Sequence, residues 1–325
     1  MTILVLLGGL VLLVIGGELL VRGAVAIAGK LGVSPLMIGL TIVGMGTSMP
    51  ELAASLQAAL SGSPGIALGN IVGSNIANSL LILGVAALLA PIAVARGTLW
   101  RDGGIGVLAA CALLLIGMTT GLGRLAGVVL IAAMLGYLVL AYRQEKAAAG
   151  HSAAMEKAEA LEGIDPALRP GESQSAGWGL SLFFLLAGLG CIVGGGTLLV
   201  GAAVDLAIEF GMSETLVGLT IVAVGTSLPE LVTSAVAALR KQSEVALGNV
   251  LGSNIYNVFF IGGVTGAIAP TPVPETLVRF DLPILIGVSL AVMALAWTGA
   301  RLSRWEGAAL VAAYCVYLGF TAGLF

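Results

Sequence analysis

The sequence predicts an all-α, polytopic membrane protein made of ten transmembrane helices in two inverted five-helix repeats. Composition is the first observation behind this: of 325 residues, 58% are hydrophobic and 10% charged, and the mean hydropathy is +1.10. Soluble domains run near 25% charged. Second, the apolar residues come in runs of about 20, the length an α-helix needs to cross roughly 30 Å of hydrocarbon. The short alternating segments of a membrane barrel are not seen. Third, the stretch Gly39–Asn78 recurs from Gly218 to Asn257 with every matched position 179 residues apart.

The first apolar run, about 3–28, carries Glu18 and Arg22 and lacks a basic leader and a small-residue cleavage site, so it reads as a helix and not as a signal peptide. Further spans follow at about 36–60, 66–90, 104–120 and 125–142. Next comes the one long hydrophilic stretch, 143–177, with Arg143, Lys146, Glu156, Lys157 and Glu159 before Pro166 and Pro170. It reads as a linker, partly helical around 153–161, too short for a regulatory domain. The remaining spans are about 179–207, 214–239, 245–269, 282–300 and 306–324. The chain thus divides into a first repeat (1–142), the linker (143–177) and a second repeat (178–325).

The repeat extends beyond its central stretch. At the same 179-residue offset Gly16-Gly17 meets Gly195-Gly196, Gly32 meets Gly211, Pro91 meets Pro270 and Asp102 meets Asp281. Because five is odd, the second repeat enters the membrane from the opposite side, which makes the repeats inverted about an axis in the membrane plane. Lys and Arg set the orientation, since loops rich in them stay in the cytoplasm. With the N-terminus outside, cytoplasmic loops hold Lys30, Arg96, Arg101, Arg143, Lys146, Lys157, Arg169, Arg240, Lys241, Arg301 and Arg304, against Arg124 and Arg279 outside. Both termini are therefore expected outside and the linker in the cytoplasm of a cell with this protein in its inner membrane.

Within the doubled stretch, Glu51 and Glu230 fall near the middle of predicted spans, where an ionisable group costs a few kcal/mol or more and marks a pathway or partner. Thirteen of the 14 basic residues map to loops, so a salt bridge does not account for the acids. Pro50 and Pro229 cannot donate to the carbonyls of Gly46 and Gly225, and backbone freed at bilayer depth is tolerated where a cavity, a neighbour or an ion satisfies it. Thr47 and Ser48 precede Glu51 at helical spacing, as Thr226 and Ser227 precede Glu230. The third span of each repeat adds Asn70, Ser74 and Asn78, matched by Asn249, Ser253 and Asn257, while Gly69, Gly73, Gly248 and Gly252 suit close helix approach. The donors are all oxygens, a set that suits Ca²⁺ or Na⁺ and disfavours Zn²⁺ or Cu⁺. Two negative charges balance one Ca²⁺ or two Na⁺, and competition for such a site is the physical basis of exchange.

The paired Gly-Thr-Ser-x-Pro-Glu and Gly-Ser-Asn-Ile-x-Asn blocks resemble those of the cation/calcium exchanger superfamily, close to prokaryotic sodium/calcium exchangers, along essentially the whole chain. The resemblance implies ten helices, the first and sixth sliding across the rest to alternate access. It implies Glu51 and Glu230 as central ligands, assisted by Thr47, Ser48, Ser74, Asn78, Thr226, Ser227 and Ser253 and by the backbone carbonyls of Gly44 and Ala223. Its usual cycle exchanges three Na⁺ for one Ca²⁺. Some related exchangers carry Asp where this chain has Asn257, which makes the site here one acid poorer and leaves ion choice and stoichiometry open. No large cytoplasmic insert of the kind that senses Ca²⁺ is present.

Cys111, Cys191 and Cys315 sit in apolar runs without metal or disulfide spacing and are expected to pack in the interior; His151, the only histidine, lies in the linker. No nucleophile–base pair or metal-ligand cluster points to an enzyme, and no cofactor is expected beyond the transported ions. Nothing points to nucleic acid; the expected surroundings are the bilayer, with Ca²⁺ and Na⁺ or H⁺ as partners and a monomer as the working unit. A Ca²⁺/H⁺ exchanger and, further off, a cation channel remain alternatives to Na⁺/Ca²⁺ antiport. Asn257→Asp is predicted to change cation affinity or Na⁺ dependence of transport in liposomes; no change would mean that position 257 does not touch the ions.

Overall fold

The computed structural model describes residues 2–31, 35–60, 62, 64–94, 96–159, 177–209 and 223–321. α1 (Thr2–Leu31) is followed by α2 (Pro35–Ile38), a π-helical segment Gly39–Val43 and α3 (Gly44–Thr47), then by a break at Ser48 and α4 (Met49–Leu60). α5 (Pro64–Ala77) passes through π-helical Asn78–Ile82 into α6 (Leu83–Leu89), and β1 (Ile92–Ala93) follows. α7 (Arg96–Thr98) runs through π-helical Leu99–Gly103 into α8 (Gly104–Thr119), and α9 (Arg124–Glu159) ends the first half.

The second half repeats the plan. α10 (Trp178–Glu209) precedes α11 (Ala223–Thr226), a break at Ser227 and α12 (Leu228–Leu239). α13 (Ser243–Ile255), π-helical Tyr256–Gly262 and α14 (Gly263–Ile268) come next. π-helical Leu277–Asp281, α15 (Leu282–Gly299), β2 (Arg301–Leu302) and α16 (Arg304–Thr321) complete it. Each π segment inserts one extra residue into a helix and re-aims the side chains beyond it.

Among the described residues seven helices are long and apolar enough to cross a membrane. Of the other expected spans, 36–60 is divided at Ser48, 214–239 is described only from Ala223, and α16 opens on Arg304 and Glu306. The segments containing α5 and α13 are 78% and 89% buried, against 22% for the one containing α15, so the asparagine-bearing helices form the hub. Leu108, Leu115, Leu125, Leu135 and Val316 are exposed on the periphery, where lipid receives them.

α1 and α10 run antiparallel with their backbones in close approach. Gly16 faces Ile192 and Gly195 faces Leu13, which are one and the same contact at the 179 offset. Leu13, Leu20, Ile27, Leu185 and Ile192 pack there in a second apolar cluster that also takes in Ile38 and Val43 of the following segments.

Structure revises several expectations. The offset holds to Gly121 and Ala300, both at positive φ just past a helix end, and then becomes 180 because β2 carries one extra residue. The pairing of Ile92 with Leu302 therefore recurs as Thr271 with Leu122. Tyr137 donates to Asp102 (3.2 Å) as Tyr317 does to Asp281 (2.8 Å). Arg101, expected in a loop, lies inside a helix and pairs there with Asp102, and Arg279, also expected in a loop, is likewise helical. The linker begins as helix: α9 runs unbroken to Glu159, because no proline precedes Pro166 in it and the Ala-rich sequence favours helix. Residues 160–176 and His151's side chain lie outside the description. Cys111 and Cys315 are exposed on the outer helices, and Cys191 is half-buried, so the first two do not fill the interior. Arg22, left over inside the first span, pairs with Glu18, which also receives Arg240 (2.8 Å).

A Cβ on Gly188 would lie 2.3 Å from the Leu20 nitrogen, whereas one on Gly136 meets nothing within 4 Å among the described residues. Gly188→Ala is predicted to destabilise the protein by about 1–3 kcal/mol through forced separation of α1 and α10, read as a lower melting midpoint in detergent, with Gly136→Ala unchanged or higher. Equal midpoints would contradict the close approach.

Candidate cation site

Each repeat delivers its acid at a helix break. Ser48 (φ −85°, ψ 8°) and Ser227 (φ −88°, ψ 6°) leave helical geometry between Thr47 and Met49 and between Thr226 and Leu228. The turn falls at the serines, two residues before the prolines. Pro50 and Pro229 occupy the second position of the restarted helices, where a missing N–H deprives no carbonyl inside α4 or α12. Glu51 and Glu230 then lie in first turns, 1% and 0% exposed.

The serines at the two breaks serve the opposite acid, not their own. Ser48 donates to Glu230 Oε1 (2.9 Å), and Ser227 donates to Glu51 Oε1 (3.1 Å). The Ser227 oxygen also lies 3.3 Å from Ser74 Oγ, and Ser253 Oγ lies 3.5 Å from Glu230 Oε1. Ser48 and Ser227 follow the helix break, so their side chains reach across the axis, which helical spacing alone did not reveal.

Asn70 and Asn249 hold the acids' backbone. Asn70 Nδ2 donates to Glu51 O (3.2 Å) and Ser55 Oγ (2.9 Å), and Asn249 Nδ2 donates to Glu230 O (3.2 Å) and Ser234 Oγ (2.9 Å). Their oxygens face the other repeat's threonines: Thr47 Oγ1 is 3.2 Å from Asn249 Oδ1, and Thr226 Oγ1 is 3.4 Å from Asn70 Oδ1. Gly252 packs on the Leu40 backbone, the close approach expected of it. Among the described residues nothing lies within 4 Å of where a Gly69 Cβ would stand.

Glu51 Oε2, Glu230 Oε2, Asn78 Oδ1 and Asn257 Oδ1 are buried without a hydrogen-bond partner among the described residues. They form two pairs related by the repeat. An unpartnered buried acceptor costs about 1–3 kcal/mol, more when charged. Ion pairs among the described residues use Glu18, Asp102 and Glu275, never Glu51 or Glu230. No group of three or more His, Cys, Asp or Glu occurs among the described residues. Two carboxylates surrounded by neutral oxygens match a hard cation, since Ca²⁺ takes six to eight oxygen ligands.

Of the expected site residues, Thr47, Ser48, Ser74, Asn78, Ser227, Ser253 and Asn257 are all buried, and Thr226 is half-buried. The Gly44 carbonyl is already surrounded by donors, accepting from Ser48 N (3.1 Å) with Thr47 Oγ1 at 3.3 Å and Ser253 Oγ at 3.5 Å. Ala223 opens α11, and its side chain is not described. Ser55, Ser234, Asn75 and Asn254 were not singled out from sequence. Their signal was identity at matched positions of the two copies, set among so many other identities that it did not distinguish them.

Residues 1–143 and 180–323 match the family described as sodium/calcium exchanger protein. The chain belongs to the sodium/calcium exchanger family. Sodium/calcium exchanger MaX1 of Methanosarcina acetivorans is 36% identical, with 97% of each chain covered. Inner membrane protein YrbG of Escherichia coli is 33% identical over 96% of this chain and 94% of its own. Among solved structures, the sodium-calcium exchanger NCX_Mj soaked with Na⁺ and Sr²⁺ superposes with a TM-score of 0.82 at 30% identity, covering 98% of this chain and 97% of that one. A member of this family is a multi-pass membrane transporter that exchanges Ca²⁺ for another cation.

Proposed function

We propose that this exchanger expels Ca²⁺ from the cell as Na⁺ enters, through one mid-membrane site that both ions share and that opens alternately to the two sides. The matched set of four partnerless buried oxygens, two of them on carboxylates with no basic neighbour, carries the reading. Glu51 and Glu230 are the central ligands. Thr47, Ser48, Ser74, Asn78, Thr226, Ser227, Ser253 and Asn257 supply neutral oxygens, with the carbonyls of Gly44 and Ala223. Gly44 O serves once its hydroxyl neighbours turn to the ion. The names of MaX1 and NCX_Mj, both sodium/calcium exchangers, support the ion pair.

In this reading ten helices span the cytoplasmic membrane as two five-helix repeats, with both termini outside and the linker in the cytoplasm. A single chain suffices, because both acids and their partners come from one chain. The close, glycine-lined packing of α1 on α10 supports their movement as a unit against the hub. Proton exchange is a second reading, favoured by the same absence of basic partners: protons as well as Na⁺ neutralise two buried carboxylates.

Ca²⁺ flux into inside-out vesicles separates the two. Uptake driven by an outward Na⁺ gradient and indifferent to a pH gradient is expected; the converse would establish H⁺ as the counter-ion. Glu51→Gln and Glu230→Gln are each expected to lower Ca²⁺ transport at least 100-fold while the protein remains folded, by the loss of a charged ligand in a dry site. Parent-level flux in either variant would remove the site assignment.

A further inference from the structure

Next to the acids, two asparagines from opposite repeats meet at the axis. Asn75 Nδ2 donates to the backbone carbonyl of Asn254 (3.1 Å), and Asn254 Nδ2 lies 2.9 Å from Ser79 Oγ. The backbone carbonyl can only accept, which fixes which prong of the Asn75 amide is nitrogen and leaves Asn75 Oδ1 on the other. That oxygen accepts from Asn257 Nδ2 (2.9 Å), and in the matching contact Asn254 Oδ1 accepts from Asn78 Nδ2 (3.0 Å). An amide is planar, so holding its nitrogen aims its oxygen. The oxygens aimed in this way, Asn257 Oδ1 and Asn78 Oδ1, are two of the partnerless acceptors, on residues only 1% exposed.

We propose that Asn75 and Asn254 are positioning residues of the cation site, each turning the ligand amide of the other repeat so that its oxygen is presented to the ion. The inference rests on the reading of Glu51, Glu230, Asn78 and Asn257 as ion ligands. It adds a requirement on position 257: the residue there must donate to Asn75. An ionised carboxylate would set acceptor against acceptor, and Asn75 cannot turn over to meet it without losing its bond to the Asn254 carbonyl. The amide at 257 and the two-carboxylate charge of the site thus belong to one hydrogen-bonded arrangement. The repeat symmetry is broken at one point: Ser79 corresponds to Val258, so Asn254 has a side-chain partner that Asn75 lacks, and Asn75 is anchored on backbone instead.

The test is a cycle of Asn75→Leu, Asn257→Ala and the double variant in purified protein reconstituted in liposomes, with half-saturating Ca²⁺ and Na⁺ measured apart from maximal rate. Asn75→Leu is expected to raise the half-saturating concentration of at least one ion roughly tenfold, the scale of one hydrogen-bonded ligand contact. The double variant is expected to match Asn257→Ala alone, because Asn75 acts through Asn257. A change confined to maximal rate, or shifts that multiply in the double variant, would overturn the proposal. If Asn75→Leu does not fold by size exclusion and thermal melt, Asn75→Ala enters the same cycle with the same expected and contrary results. Glu51→Gln in parallel separates the two layers of the argument: loss of ion dependence there, with Asn75 variants unshifted, defeats the positioning role alone, whereas retained ion dependence in Glu51→Gln defeats the site reading itself.

Discussion

Two carboxylates buried in an oily bundle without a basic partner are the constraint on which the rest of this structure depends. A charge left alone in a low-dielectric interior is costly, and the site's own hydroxyls and amides satisfy only part of the demand. Each glutamate has one oxygen engaged by a serine of the opposite repeat and one oxygen free. The helix breaks, the buried asparagines and the central place of α5 and α13 all serve to hold that unsatisfied pair in position. In the proposed exchange, a bound cation supplies what that pair lacks.

Inverted repetition solves the problem of building this cage from one kind of part. Helix α4 and helix α12 enter from opposite sides, and the serine at each break reaches the other's acid. The hydrogen bonds come in matched couples, Asn70 with Asn249, Asn78 with Asn257, Tyr137 with Tyr317, so neither half has a complete site alone. The departures from symmetry are small and local: one extra residue at β2, and Val258 opposite Ser79. The α1–α10 pair lies against this hub with glycines at close contacts such as Gly17 on Val236 and with an apolar cluster shared with Ile38 and Val43, and Glu18 with Arg240 is a polar tie to the rest.

Much of this could be read from residues. The 179-residue repeat, the mid-span glutamates and the oxygen-only donor set lead to the family and to the residues that surround Glu51 and Glu230. What could not be read shares a cause, namely that pattern matching works along the chain and these features depend on where side chains go after a backbone irregularity. Helical spacing put Ser48 with Glu51, but the break at Ser48 sends its hydroxyl to Glu230. The π segments brought Asp102 inside a helix that hydropathy began later. Asn75 is one residue from Ser74 and lies on a different face, toward the axis, so a search at spacing four from Asn70 passed over it. Ala-rich sequence after Arg143 carried helix well beyond the point at which its polarity suggested a linker.

The central claim is that Glu51 and Glu230 together hold one transported cation. Equilibrium binding of ⁴⁵Ca²⁺ to the purified protein and to the two single Glu→Gln variants tests it most directly. The account predicts a single Ca²⁺ per chain, displaced by Na⁺, and lost in both variants alike. Retention of that Ca²⁺ in either variant, or two sites that fall away one with each glutamate, would contradict it.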